Sequence, residues 1–373
     1  MKDLNTFMGN GIRNIVETAG RFYMGNFKGR AFLYRLVSSL GKDAKIRENY
    51  EEEGVHVPPF LISSITNNCN LHCAGCYARA NGSCSDRHVE MMDKEDWDKI
   101  FAEADKLGIS FILLAGGEPL IRKDVIRLAG QYENMVFPIF TNGTMINDEY
   151  LELFDSHRNL IPVLSIEGNE AETDRRRGTG IAGKVTQVIE KLKEKGILFG
   201  TSITVTGENK EEVTDQNYVA HLREQGCGLI FYVEYVPAEK GTEYLVLDDA
   251  DLGDLKVRID ALRNNKKNKG VIMLSFPGDE ESMGGCLAAG RGFFHINAAG
   301  GAEPCPFSPY SELNVKERSI IEVLQSQFFC KVREISAAEA GNHDGGCTLF
   351  QFKNDVAALT KAEEREIVAA GKD

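Results

Sequence analysis

Cys69, Cys73 and Cys76 lie within eight residues of TNNCNLHCAGCYARA, residues 66–80, in the spacing C-x3-C-x2-C. Three thiols this close, on a stretch too short for a helix, form one face of a metal site. Structural zinc usually takes four protein ligands in pairs of close cysteines. No second pair stands near this motif, and Cys84, across ARANGSC, is the nearby candidate for a fourth ligand. An iron–sulfur cluster is the other thiolate-rich option. A cubane held by three cysteines leaves one iron open for a small ligand and for chemistry. A second group, Cys286, Cys305, Cys330 and Cys347, lies toward the C-terminus, and Cys84 and Cys227 complete nine. The odd count and the clustering favour metal ligation over a disulfide framework. The N-terminus lacks a basic-then-apolar signal pattern, so a cytoplasmic protein is expected.

The elements that must position these residues follow from hydrophobic periodicity. From residue 60 short apolar runs alternate with amphipathic segments: FLISSIT, SFILLA, VFPIFTNG, LIPVLSIEG, LFGTSITVT and LIFYVEYVP read as strands. KEDWDKIFAEADKLG, KDVIRLAGQY, DEYLELFDS, AGKVTQVIEKLKEKG, EVTDQNYVAHLREQG and DADLGDLKVRIDALRNN read as helices. Six βα units with near-continuous apolar strands predict an α/β fold, a partial (β/α)6 TIM-like barrel with helices outside a parallel sheet. In such barrels the active site lies at the C-terminal ends of the strands. The first cysteine motif, GGEP, TNG and SIEG follow the first four strands in turn.

The chain divides into an N-terminal helical region (1–59), the barrel (60–270), a small Gly-, Pro- and Cys-rich unit (271–352) and a polar helical tail (353–373). The junction EEEGVHVPP marks the first boundary. The third unit carries short strands around a turn at Gly300–Gly301 and a helix, SIIEVLQSQFFCKVREI. Something other than a large core must hold it. In the first, Phe7, Ile12, Ile15, Val16, Ala19, Phe22 and Tyr23 recur at helical spacing. Residues 1–48 are basic, nine Lys/Arg against four Asp/Glu, while the whole chain of 373 residues carries −13. The reading is a helix pair packed on the barrel; a surface for membrane lipid or an acidic partner is the sharper alternative. The acidic remainder disfavours nucleic acid as a partner. No apolar run is long enough to span a bilayer.

At this point the sequence resembles the radical S-adenosylmethionine (SAM) enzymes, over residues 60 to about 350. The three-cysteine motif followed by Tyr77 is similar to that family's signature. Gly116, Gly117, Glu118 and Pro119 match its GGEP segment, and TNGT and SIEG follow in its order. The resemblance implies a [4Fe-4S] cluster on Cys69, Cys73 and Cys76, with SAM chelating the open iron. It implies that the GGEP edge and Glu118 face the SAM ammonium, that Ser165 and Glu167 face the ribose, and that Asn142 lies near the adenosine. Of Arg175, Arg176 and Arg177, it points to Arg177 as the partner of the SAM carboxylate. One electron then splits SAM to methionine and a 5′-deoxyadenosyl radical, which takes hydrogen from a substrate C–H bond. An anaerobic setting and a reductant such as ferredoxin or flavodoxin are implied with it.

CLAAGRGFFHINAAGGAEPC resembles the SPASM or shorter twitch extension of this family, which holds auxiliary [4Fe-4S] clusters. The full extension has more cysteines after its helix. Here only Cys347 follows, so the resemblance implies one auxiliary cluster. Cys286, Cys305 and Cys347 are its ligand candidates. Cys330 sits inside the helix, where a structural thiol is equally common; His343 or Asp344 is an alternative fourth ligand, as are water and an open iron. Cys84 and Cys227 read as small hydrophobes, and Tyr232 and Tyr235 as core residues that are also available to quench a radical. Members with this extension often modify peptides or proteins. The first 59 residues are too short and strand-poor for the leader-peptide-binding domain many of them carry. A peptide or protein, a small biosynthetic intermediate, and a lipid at the membrane surface are therefore the substrate expectations. A non-catalytic iron–sulfur electron carrier and a zinc-structured binding protein are the readings from other classes.

Overall fold

The computed structural model describes residues 27–85, 89–338 and 347–360, together with Thr18, Gly20 and Tyr23. Phe7, Ile12, Ile15, Val16, Ala19 and Phe22, like His343 and Asp344, lie outside the described residues.

Seven parallel strands form the body: β1 (Phe60–Ser64), β2 (Phe111–Ala115), β3 (Phe137–Thr141), β4 (Leu160–Ile166), β5 (Phe199–Val205), β6 (Cys227–Glu234) and β7 (Ile272–Phe276). Two short strands, β8 (His295–Ile296) and β9 (Ala302–Glu303), complete one sheet in the order β7-β6-β5-β4-β3-β2-β1-β8-β9. The six expected strands form in the expected order, as an α/β partial barrel. β7 is an addition: residues 272–276, expected in the unit that follows, pair parallel with β6 in the register Leu229↔Ile272.

Alternation along each strand sorts side chains between the outer helices and the barrel interior. Leu61, Ile112, Leu114, Phe137 and Ile139 face outward into the main core with Trp97, Phe101 and Phe154. Inside, the ring of Phe231 lies 4.9 Å from Phe140 and 6.3 Å from Phe276. β3 and β6 are not neighbours in the sheet, so the Phe140 and Phe231 rings meet across the lumen.

Several helices start at side chains that cap their first turn. Asp93, Asn147, Asn169 and Asp248 each accept a backbone N–H from the first turn. Ser319 and Glu322 form a reciprocal capping box. The expected single helix after the hairpin is two, Ile320–Gln325 and Gln327–Ala338, broken at Ser326. EAETDRRR, which lies between the expected fourth strand and the helix after it, is the helix Glu170–Arg177.

The helix Phe27–Glu52 closes the N-terminal end of the barrel. Phe32, Leu36 and Leu40 pack on Phe111, Val136, Ile161 and Leu198, and the Ser110 hydroxyl donates to Asp43 at 3.0 Å. Phe27 and Tyr34 remain exposed on its outer face. No described helix is long and apolar enough to cross a membrane. At the opposite edge of the sheet, β8 pairs parallel with β1 and antiparallel with β9. A buried polar chain runs through all three. Ser64 Oγ lies 2.7 Å from His295 Nε2, and His295 Nδ1 lies 2.7 Å from Glu303 Oε2.

Candidate active site at the C-terminal rim of the barrel

The first cysteine motif follows β1, and the loops after β2 and β3 hold it from two sides. Gly117 N–H donates to Thr66 O at 2.9 Å, and Glu118 N–H donates to Asn68 O at 2.8 Å. This contact is why two glycines stand in GGEP. A Cβ on Gly116 would lie 2.2 Å from Thr66 O, and one on Gly117 would lie 2.1 Å from Asn68 O. The glycines let the stem of the cysteine loop press on this turn. On the other side, Asn142 Nδ2 donates to Asn70 Oδ1 at 2.9 Å and Asn70 Nδ2 donates to Thr144 Oγ1 at 2.9 Å.

Glu118 is 1% exposed, and its own scaffold uses the carboxylate. Oε1 accepts from Leu120 N–H at 3.0 Å and from the Thr141 hydroxyl at 2.7 Å; Oε2 accepts from Asn142 N–H at 2.8 Å. Burial pushes its carboxyl up to about 7, against the opposing effect of these donors. The side chain therefore joins the ends of β2 and β3, and Pro119 opens the short turn it caps.

Glu167, at the end of β4, is also buried. It accepts from Arg176 at 2.7 Å, from Arg177, and from Thr204 N–H at 3.1 Å. Ser165 lies two residues earlier on the same inward row, paired in register with Ser202. Arg177 belongs with the cysteines: its charge acts on both Cys73 and Cys76. Arg176 donates to Ala74 O at 3.2 Å inside the motif, while Arg175 turns away to Glu172 and Glu208. The structure thus brings Cys69, Cys73, Cys76, Arg176, Arg177 and Glu167 to one rim.

Several buried polar atoms here have no hydrogen-bond partner among the described residues: both amide atoms of Asn67, Arg177 Nε and Tyr235 Oη. Tyr235 follows β6, and its hydroxyl lies 2.5 Å from where a Gly75 Cβ would stand, directly against the motif. Orphaned groups of this kind are rare in native interiors unless something binds there. Three thiols, a buried guanidinium and a free amide fit a negatively charged iron–sulfur group with a polar ligand. Among the described residues no three His, Cys, Asp or Glu stand close enough to hold a single metal ion; a cubane is wider than an ion. The sequence did not single out Asn67; its position in TNNC was the available signal. Glu239, whose Oε2 accepts Gly75 N–H at 2.8 Å, was likewise missed.

Cys84, read as a small hydrophobe, is buried but meets Cys69, to which its thiol donates. That bond draws the Cys69 thiol down to about 6, whereas burial pushes Cys73 up. A thiolate alkylates and a thiol does not. Iodoacetamide labelling of cluster-free protein, followed by mass spectrometry, is expected to rise at Cys69 through about pH 6. Labelling of Cys73 is expected only in the alkaline range. Cys84→Ala is expected to move the Cys69 midpoint toward the ordinary thiol value of about 8.5. An unmoved midpoint would assign the shift to something else.

Tyr77 opens the short helix after the motif and packs on Phe307, ring centroids 4.7 Å apart. The charges of both Cys76 and Cys305 act on it, so it stands between the two cysteine groups. In the second group Cys286 and Cys305 are buried and Cys347 is partly so. Cys305 and Cys347 each act on Cys286, and Cys347 acts on Cys305. The hydroxyls of Ser308 and Thr348 beside them are buried without partners among the described residues. Cys330 is placed differently: its sulfur lies 3.9 Å from Gln325 O and accepts from Arg333 at 3.1 Å. Cys227 begins β6 with its thiol 3.2 Å from Leu229 O.

Residues 63–215 match the model of the Radical SAM superfamily. The chain belongs to that superfamily. It is 26% identical over 324 residues to the AdoMet-dependent heme synthase of Methanosarcina barkeri, covering 80% of this chain and 90% of that protein. It is 24% identical to the mycofactocin maturase MftC of Mycolicibacterium smegmatis, over 81% of each chain. Its fold is that of SuiB from Streptococcus suis, solved bound to the precursor peptide SuiA: the TM-score is 0.61 at 18% identity, covering 82% of this chain and 70% of SuiB. This protein is a radical SAM enzyme, which sets aside the carrier and zinc-scaffold readings.

Proposed function

We propose that this enzyme reductively cleaves SAM at a [4Fe-4S] cluster on Cys69, Cys73 and Cys76 and takes a hydrogen atom from a substrate C–H bond. One auxiliary [4Fe-4S] cluster sits in the C-terminal unit on this reading. The observation that carries the proposal is the meeting of Cys73 and Cys76 with Arg177 beside the unpartnered Asn67 amide. The cluster and SAM, when bound, supply the radical chemistry; the protein supplies position, charge and a dry interior.

Within that division, Asn70, Asn142 and Thr144 fix the cysteine loop from the β3 side, and the GGEP turn fixes it from the β2 side. Arg177 supplies the positive charge for a carboxylate, in a planar fork that Lys would not reproduce. Glu167 holds Arg177 in place. Thr204 N–H in turn fixes the second oxygen of Glu167. A low-potential one-electron donor such as ferredoxin or flavodoxin, in the cytoplasm and without oxygen, completes the proposal.

The substrate reading is a small biosynthetic intermediate of the porphyrin kind. The heme synthase relative supports it, since the match runs through most of that protein. So does the aromatic wall of Phe140, Phe231 and Phe276, which offers an apolar surface inside the barrel. A peptide is the second reading, favoured by the maturase relative. Anaerobic reconstituted protein, SAM and dithionite are expected to yield 5′-deoxyadenosine, and more of it with an iron porphyrin than with an unrelated peptide. Release stimulated by peptide alone would select the second reading. Iron-loaded protein that forms no 5′-deoxyadenosine under any condition would remove the proposal.

A further inference from the structure

Glu280 is a buried carboxylate in the wrong company for a structural residue. It is 5% exposed and lies in the tight turn Gly278–Met283 that follows β7. Its backbone is fixed on both sides: Glu280 N–H donates to Pro277 O at 2.7 Å, and Gly285 N–H donates to Glu280 O at 2.8 Å. Its Oε1 accepts Leu287 N–H at 3.2 Å, and the Cys286 thiol donates to the carboxylate. Arg291, the nearby cation, spends its guanidinium on the carbonyls of Met283, Gly285 and Cys286. Among the described residues no ion pair includes Glu280. Buried carboxylates are ordinarily paired with a cation or bound to a metal.

The charge of the carboxylate reaches all three thiols of the group, because Glu280 acts on Cys286, Cys305 and Cys347. Its buried neighbour Glu234, at the end of β6, acts on Cys347 among these. The fourth cysteine, Cys330, is instead engaged by Arg333. Three thiols and one carboxylate therefore share an interior that also holds the unpartnered hydroxyls of Ser308 and Thr348.

We propose that Glu280 is the fourth protein ligand of the iron–sulfur centre on Cys286, Cys305 and Cys347. The proposal rests on the auxiliary-cluster reading given above. It makes that centre closed, with three soft sulfur ligands and one hard oxygen ligand, and leaves Cys330 outside it. The turn Gly278–Met283 then has a purpose: it carries a carboxylate to the cysteines from the end of the barrel sheet.

The test uses the full-length chain carrying Cys69→Ala, Cys73→Ala and Cys76→Ala, so that any bound iron belongs to the second centre. This parent is expected to hold about four irons, one distinct from the others by Mössbauer spectroscopy, with an electron paramagnetic resonance spectrum that cyanide does not change. Adding Glu280→Cys is expected to make the distinct iron resemble the rest. Adding Glu280→Ala is expected to make the spectrum cyanide-sensitive, and adding Cys330→Ala to change nothing. Circular dichroism checks that each variant folds. A cyanide-sensitive parent, or loss of the distinct iron only with Cys330→Ala, overturns the role of Glu280 and leaves the auxiliary cluster standing. A parent without iron overturns the auxiliary cluster and this proposal with it.

Discussion

Gly117→Ala is expected to strip most of the iron from the first cysteine motif while leaving the barrel assembled. The added methyl would sit 2.1 Å from Asn68 O and 2.4 Å from Asn68 C. Both are backbone atoms, so no rotamer change relieves the clash. The stem of the cysteine loop must move by about 1 Å to reach ordinary contact, which breaks the bonds from Gly117 N–H to Thr66 O and from Glu118 N–H to Asn68 O. Two lost backbone hydrogen bonds plus residual strain amount to about 3 kcal/mol. Urea denaturation of cluster-free protein measures that loss, and iron counts after anaerobic reconstitution measure the displaced thiols. Gly183→Ala is the control. It lies in the helix Ile181–Glu194 with nothing within 4 Å of the added carbon, and it is expected to stabilise slightly through helix propensity. A Gly117→Ala chain as stable and as iron-rich as the unmodified one would refute the clamp.

The Cys69→Ala, Cys73→Ala, Cys76→Ala variant is expected to lose about four irons and all formation of 5′-deoxyadenosine. Removing the three thiols costs the fold little. The motif lies on a surface loop held by Asn70, Asn142 and the GGEP turn, none of which is touched. Iron that remains belongs to the C-terminal unit, and it should pass no electron to SAM. If the variant kept its deoxyadenosine activity, the chemistry would have to be moved to the second group of cysteines. A variant that lost no iron would deny the motif its cluster.

The barrel was legible because its signals are local. Apolar runs of β-branched and aromatic residues mark the strands, and amphipathic segments mark the helices between them, so their order followed from chain connectivity. β7 was less legible: IMLSF follows the basic stretch NNKKNKG and precedes a Gly-rich segment, and it looked like the start of the next unit. The site residues were legible where a motif named them and illegible where only three dimensions bring them together. Glu118 was expected at a ligand, and the bonds by which its carboxylate joins two strand ends had no sequence signal. Cys84 was legible as a nearby thiol but not as a partner of Cys69, because the chain turns back through Ala78 before bringing its thiol there; Cys84 N–H donates to Ala78 O at 2.7 Å. Glu280 carries no sequence signal, since an acidic residue in GDEES reads as solvated surface. Only its burial beside Cys286 distinguishes it from Glu281, which is exposed.

The pairing of β8 with β1 has a consequence for how the chain is made. Ser64 and His295, which join these strands, are 231 residues apart. During synthesis β1 and β2 leave the ribosome early, but the partner for the other edge of β1 comes only after every barrel strand. Until then that edge presents open N–H and C=O groups, a template for any extended segment nearby. The hairpin His295–Glu303 is thus the last piece the barrel sheet waits for. Long-range closure of this kind slows folding, so a chain stalled before residue 295 would be the species most in need of a chaperone.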